Sequence, residues 1–199
     1  MIERTKFYLS KGFNVLTPDL RGTGKSEKQP ISFGWNERLD ILACVDSLKK
    51  KGFDTIAIHG HSLGAASILY TLNDFNQYYF VVLESPYDNI VNATKHRLNK
   101  FHISYFLFLP TVWITEFRLK IDIKNLYPEN AIKKLDVPLL YFAGDKEQQI
   151  PINETYKIYN NCPSLSKEIH IFKGAKHGNF TDKYFNEYFS ILDSFIVNK

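Results

Sequence analysis

The run Gly60-His61-Ser62-Leu63-Gly64 has the form G-x-S-x-G, and its flanks restrict the chain to few folds. Before it, Thr55-Ile56-Ala57-Ile58-His59 is short, apolar and rich in β-branched residues, which suits a strand buried in a parallel sheet. After it, Ala65 to Leu72 carries apolar side chains at helical spacing. The pattern predicts a serine on a tight strand-to-helix turn. Such a turn requires flanking positions without side-chain bulk, a role that falls to Gly60 and Gly64. It exposes the Ser62 hydroxyl at the head of a helix, where the Leu63 N–H can stabilise a negative oxygen. Ser62 is therefore a candidate nucleophile and the Leu63 N–H a candidate oxyanion donor.

Strands and helices alternate along the rest of the chain. Residues 2–11 read as the end of a helix stopped by Gly12, and Phe13 to Thr17 as a strand. Trp35 to Lys51 reads as a helix that turns Leu39, Leu42, Val45 and Leu48 to one face. Strands are expected at Tyr79–Leu83, Leu139–Ala143 and Glu168–Phe172, with a helix beginning over 151–160. A last helix, Lys183 to Val197, is expected to pack Phe185, Tyr188, Phe189, Leu192, Phe195 and Ile196 inward. This order predicts one α/β domain over 1–199, with a mainly parallel sheet and a mixed segment at 85–134. Ligands of such sheets bind beyond the carboxyl ends of the strands, where Ser62 is expected.

Composition narrows the chemistry. With 44% hydrophobic residues, 16 Phe and 12 Tyr, disorder is excluded. The net charge is +4, but the lysines are dispersed. The one run, Lys49-Lys50-Lys51, closes a predicted helix, where cations complement the dipole, so no nucleic-acid partner is expected. Cys44 and Cys162 have no metal-site spacing; Cys44 is expected in core packing, and a disulfide between the two is left open. The first 20 residues lack the apolar stretch of a signal peptide. The most apolar segment, Phe101 to Phe117, contains His102 and Pro110 and is too short to predict a membrane span. A cytoplasmic protein without stable membrane insertion is expected. Gly24-Lys25-Ser26 imitates the tail of a phosphate-binding loop, but the first glycine of that motif would fall on Asp19, which would repel phosphate.

A serine nucleophile needs a base, and the base needs an orienting acid. His177 lies in Lys173-Gly-Ala-Lys-His-Gly-Asn179, a small-residue loop between the last strand and the last helix. His59, His61, His96, His102 and His170 are less well placed. The loop after strand 139–143, Gly144-Asp-Lys-Glu-Gln-Gln-Ile-Pro151, offers two acids, Asp145 and Glu147.

Taken together these residues resemble the α/β-hydrolase superfamily. The likeness rests on Pro18-Asp-Leu-Arg-Gly-Thr-Gly-Lys-Ser26, the turn at 60–64, Gly144 to Pro151, and Gly174-Ala-Lys-His-Gly-Asn179. Phe33-Gly-Trp-Asn-Glu-Arg-Leu-Asp40 and Leu83-Glu-Ser-Pro-Tyr-Asp88 are similar to the serine aminopeptidase-like branch. The resemblance implies helices on both faces of the sheet and a small cap at 85–134. It implies hydrolysis of an ester, thioester or small amide of a small-molecule acyl substrate through an acyl-enzyme, without metal or cofactor. The family pattern G-x-x-D-x-x-[VI]-P places Glu147 in the acid position, with Asp145 as the alternative. Phe101, Tyr105, Phe106, Phe108, Trp113 and Phe117 would line an acyl pocket or pack the cap helices. The resemblance also has a gap. Strand 13–17 looks like the family's fourth, and neither the third strand nor the His-Gly loop that supplies a second oxyanion donor has a counterpart. The chain thus reads as N-terminally truncated. Its sheet must either pair 13–17 with 55–59 or leave a space between them. A catalytically impaired remnant or a binding protein is the alternative function, and the oligomeric state is left open.

Overall fold

The computed structural model describes residues 1–198. Its elements in chain order are α1 (Ile2–Ser10), α2 (Glu37–Lys50), β1 (Ile58–His61), α3 (Leu63–Thr71), β2 (Val81–Glu84), α4 (Ile90–Asn99), α5 (Tyr105–Leu119), α6 (Pro128–Ala131), β3 (Leu139–Gly144), α7 (Ile152–Asn161), β4 (Lys167–Phe172), α8 (Phe180–Lys183) and α9 (Phe185–Val197). The four strands form one parallel sheet in the order β1-β2-β3-β4.

This order explains the layering. Consecutive crossovers in one direction place their helices on one face of the sheet. Val81, Leu83, Leu139, Tyr141 and Ala143 point to that face and pack with Ile68 and Leu69 of α3 and Ile158 of α7. The alternate residues Val82, Leu140 and Phe142 point the other way, as strand geometry demands. No crossover covers that second face; the two ends of the chain do. Tyr8 of α1 and Tyr188, Phe189, Leu192 and Phe195 of α9 pack against it. Helices therefore lie on both faces of the sheet, as the resemblance implies.

Several local expectations need correction. Phe13 to Thr17 is extended but belongs to no sheet. A strand forms only where a neighbour completes its ladder, and here none is adjacent. Ile58 N–H donates to Phe80 O (3.1 Å), Tyr79 N–H to Ile56 O (2.8 Å) and Ser62 N–H to Glu84 O (2.8 Å). Residues 56, 58 and 62 thus spend their main-chain groups on β2, and Ala57, His59 and His61 direct theirs to the open side. Across that side no main-chain hydrogen bond joins Asn14–Thr17 to another described residue. Of the two options for the sheet, the chain takes the space: a groove of about 450 Å³ separates 13–18 from 55–61. Val15, Ile41, Val45, Ile58 and Ile68 are among its walls.

The inner face of α2 is formed by Ile41 and Val45, while Leu39 is exposed. Val45 and Leu48 of the expected face do pack inward, with Ile41 in place of Leu39. Glu37, fully buried, fixes the start of the helix. Its carboxylate accepts from the N–H groups of Ser32 and Gly34 (both 2.8 Å) and from the Ser32 hydroxyl (2.6 Å). The last helix breaks at Tyr184 into α8 and α9, and Phe185 is exposed rather than inward. Cys44 lines the open groove instead of the core, and both cysteines are free thiols. Asp19 folds back to accept the Lys25 N–H (2.9 Å), which closes the loop that imitated a phosphate site.

One buried polar cluster joins the end helices to the sheet. Arg4 of α1 pairs with Glu84 at the end of β2. His59 Nε2 (2.6 Å) and the Tyr188 hydroxyl (2.6 Å) donate to the same carboxylate, and Tyr8 bonds His59 Nδ1 at 2.9 Å. Burial alone would raise the Glu84 carboxyl, but His59 and Arg4 outweigh it and hold the group well below the ordinary carboxylate range. Removing the cation strands a buried charge. Arg4→Ala is expected to cost about 3–5 kcal/mol in urea unfolding at neutral pH. A loss under about 1 kcal/mol, the usual value of an exposed pair, would show that α1 is not anchored in this way.

Candidate active site

Ser62 follows β1 directly and has φ 51° and ψ −113°. A non-glycine residue there is strained by about 1–3 kcal/mol, so neighbours must hold it. The Ser62 N–H donates to Glu84 O (2.8 Å), and Ser62 O accepts from the Ala66 N–H (3.0 Å). Gly60 makes the turn possible: a Cβ there would lie 2.5 Å from Ile68 Cδ1 and 2.7 Å from Ala65 N. Gly64 is different. A Cβ would meet nothing within 4 Å, so the expected need for a bulk-free residue holds at Gly60 alone. Leu63 is the first residue of α3, and its N–H has no intrahelical partner, as at any helix start.

His177 stands on the loop after β4, and Glu147 on the loop after β3. Main-chain bonds zip these loops together. Lys146 N–H donates to Ala175 O (3.0 Å), and Gly174 N–H donates to Asp145 Oδ1 (2.5 Å). Gly144 lets them approach, since a Cβ there would strike Ala175 O. The result is a hydroxyl–imidazole–carboxylate chain. Ser62 Oγ lies 2.9 Å from His177 Nε2, and His177 Nδ1 lies 2.8 Å from Glu147 Oε2. With Nδ1–H directed at the carboxylate, Nε2 is the acceptor for the serine proton. The chain brings Glu147, not Asp145, to the histidine. Asp145 is exposed and pins the histidine loop from behind.

Two residues at the site were not singled out from sequence. Ser85 follows β2 with φ 46°, and its hydroxyl donates to Glu147 Oε1, which also takes the Gly144 N–H at 3.3 Å. The available signal was a small polar residue directly beyond the carboxyl end of a buried strand. His61, set aside because it lies within the turn, packs its ring 5.1 Å from that of His177. Burial, followed by the neighbouring His177, pulls His61 down to about 4 despite the opposing charge of Glu84. It therefore stays neutral beside His177 at ordinary pH, adding no second charge to the site.

Of the aromatic residues expected in an acyl pocket or in cap packing, few face inward. Phe108 lines a small cavity with Phe33 and Ile90. Phe101, Phe106, Trp113 and Phe117 are exposed. No cluster of His, Cys, Asp and Glu suited to a metal occurs among the described residues.

Comparison with known proteins agrees with this frame. The model of the prolyl oligopeptidase family matches residues 2–199. The chain belongs to that family. It is 26% identical to the uncharacterized protein YqkD of Bacillus subtilis over 96% of this chain, and spans 64% of that relative's length. It is 29% identical to the lysophosphatidylserine lipase ABHD12 of Rattus norvegicus over 83% of this chain, which is 42% of that protein. Among solved structures, the esterase Pf2001 of Pyrococcus furiosus superposes with a TM-score of 0.77 at 23% identity. That match covers 98% of this chain and 74% of the other. The family and these neighbours give the chain the α/β-hydrolase fold. No helix among the described residues is long and apolar enough to cross a membrane.

The lowered His61 predicts a pH dependence. An unfolded histidine binds its proton below about 6.5, whereas His61 in the fold takes one only near 4. Stability is then complete above 6.5 and falls as pH drops through the window down to 4, by at most about 1.4 kcal/mol per unit. His61→Asn should flatten this part of the profile in urea unfolding between pH 7 and 4. An unchanged slope would mean that His61 protonates in the native state.

Proposed function

We propose that the protein is a serine hydrolase that cleaves an ester, thioester or small amide bond through an acyl-enzyme. The observation that carries this reading is the 2.9 and 2.8 Å chain from Ser62 through His177 to Glu147. Ser62 Oγ attacks the acyl carbon while His177 Nε2 takes its proton. The tetrahedral oxygen then lies against the Leu63 N–H at the positive end of α3. His177 returns the proton to the leaving group, which departs with the bonding pair. Water, deprotonated by the same imidazole, then releases the acyl group and restores the serine. Glu147 holds the ring in the required tautomer, and Ser85 and the Gly144 N–H hold Glu147. A small-molecule acyl substrate is supported by the names of the relatives, among them an esterase and a lysophosphatidylserine lipase. A cytoplasmic location is supported by the two free thiols, Cys44 and Cys162.

The open groove favours a second reading, a catalytically impaired form or a binding protein. The groove reaches His61 and Gly64 beside the turn, where a second oxyanion donor would be supplied. With the Leu63 N–H alone, the intermediate is under-stabilised by about 2.7–4 kcal/mol, or 10²–10³ in kcat.

A fluorophosphonate probe tests the first reading. Wild type should be labelled once and Ser62→Ala not at all; equal labelling of both removes Ser62 as nucleophile. Steady-state hydrolysis of a p-nitrophenyl ester separates the two readings. Labelling with slow turnover indicates the impaired form, and labelling with fast turnover the competent enzyme. On the same ester, Glu147→Gln should lower kcat by about 10²–10⁴. Asp145→Asn should cost far less, because its amide oxygen still accepts from Gly174. The reverse order would transfer the acid role to Asp145.

A further inference from the structure

The outer face of α5 has no partner. Its residues divide cleanly at helical spacing. Tyr105, Phe108, Leu109, Val112, Thr115, Glu116 and Leu119 are partly buried, while the opposite stripe is exposed. That stripe, which continues the preceding Ile103, is Phe106, Leu107, Trp113, Ile114 and Phe117, with Phe106 75%, Trp113 66% and Phe117 85% exposed. A surface helix ordinarily places charges on its outer face. Here the first charged residue is Glu116, and it turns back to accept the Ile123 N–H (2.8 Å). A contiguous apolar surface of this kind requires an occupant.

The charges around the stripe indicate which one. Between residues 94 and 124 stand Lys95, Arg97, Lys100, Arg118, Lys120 and Lys124 against only Glu116 and Asp122. None of the six cations forms an ion pair among the described residues. Arg97 donates to Ala93 O (3.0 Å) and Gln149 Oε1 (3.3 Å), and Lys100 to Gln148 Oε1 (3.3 Å), all of them neutral acceptors. Lys100 precedes the exposed Phe101, and Arg118 and Lys120 follow Phe117, so cations flank both ends of the apolar stripe. Their apolar stems can lie along a hydrocarbon boundary while the charges reach lipid headgroups. At 1.5 Å per residue α5 is about 22 Å long, too short to span a bilayer but suited to lying in its surface.

We propose that the outer face of α5 is a docking surface for an anionic lipid bilayer, with the helix in the plane of the headgroups and Trp113 and Phe117 inserted below them. The placement is functional. The insertion at 85–134 leaves the sheet at the carboxyl end of β2, the edge that carries Ser62 and Glu147. The contacts from Arg97 and Lys100 fasten α4 to the loop that bears Glu147. A membrane under α5 therefore lies on the candidate-site side of the sheet. Binding of a bilayer to this face requires no catalysis.

The test is co-sedimentation of the chain with vesicles of phosphatidylcholine alone and with vesicles in which phosphatidylglycerol replaces part of it. Partitioning to the anionic vesicles should be about tenfold or more stronger, and should weaken as salt is raised. Trp113→Glu with Phe117→Glu should abolish it. Both positions are exposed, and an unchanged circular dichroism melt would show that the variant folds. Arg118→Glu with Lys120→Glu should remove the anionic preference by itself. In a Trp35→Phe background Trp113 is the only tryptophan, and its emission should shift to the blue on anionic vesicles. Equal binding by wild type and Trp113→Glu/Phe117→Glu overturns the proposal. So does a concentration-dependent dimer, lost in that variant, from a chain that binds no vesicles; the occupant would then be a second copy.

Discussion

Two consecutive residues at the carboxyl end of β2 hold the site to the fold. Glu84 uses its carbonyl to take the Ser62 N–H at 2.8 Å, which fixes the strained turn. Its side chain points to the opposite face of the sheet and gathers Arg4, His59 and Tyr188. Ser85 sends its N–H to Phe142 O in β3 (3.1 Å) and its hydroxyl to Glu147. The serine and the acid lie on different loops 85 residues apart, yet both are referenced to one strand end. A parallel sheet allows this because its strand ends converge on one edge. The strain at Ser62 persists because buried hydrogen bonds over-determine it.

Much of this was legible in the sequence because it depends on local pattern. A β-branched run, a glycine-flanked serine and an apolar helix leave few alternatives, so the turn at Ser62 was readable. Between Glu147 and Asp145 the local residues left the choice open; the family pattern aligned on Gly144 and Pro151 points to Glu147, and the fold sets Glu147 2.8 Å from His177. What was not legible depends on partners. Phe13–Thr17 has strand composition, but a ladder needs a neighbour that no local pattern reveals. On α2 the expected Val45 and Leu48 pack inward but Leu39 does not, and the three hydrogen bonds of the buried Glu37 at the helix start are invisible to apolar periodicity. His61 looked like a residue of the turn, and only the packed rings show it beside His177.

The same limit explains α5. Its apolar residues read as pocket lining or cap packing, because hydrophobic side chains predict burial without saying against what. The structure turns one stripe of the helix toward Phe33, Ile90 and Leu126 and leaves the other bare. Pro110 lies on the bare side, so the helix tolerates it without disturbing its inner packing.

The groove beside β1 and the bare face of α5 are different kinds of vacancy. In the groove the exposed groups are main-chain N–H and C=O on both walls, with apolar side chains above and below. Such a space is complementary to an extended backbone, because only a strand satisfies two open edges together. On α5 the helix bonds its own main chain except at its ends and at the carbonyl that faces Pro110, and what dominates the open face is hydrocarbon bordered by cations. That surface is complementary to a medium rather than to a defined segment of chain. The first vacancy adjoins the turn and, in the proposed reaction, bears on how well an oxyanion is held. The second follows the segment whose Arg97 and Lys100 reach the acid loop and, in the proposed docking, bears on where substrate is met. A defect in turnover from the one is therefore separable, residue by residue, from a defect in localisation caused by the other.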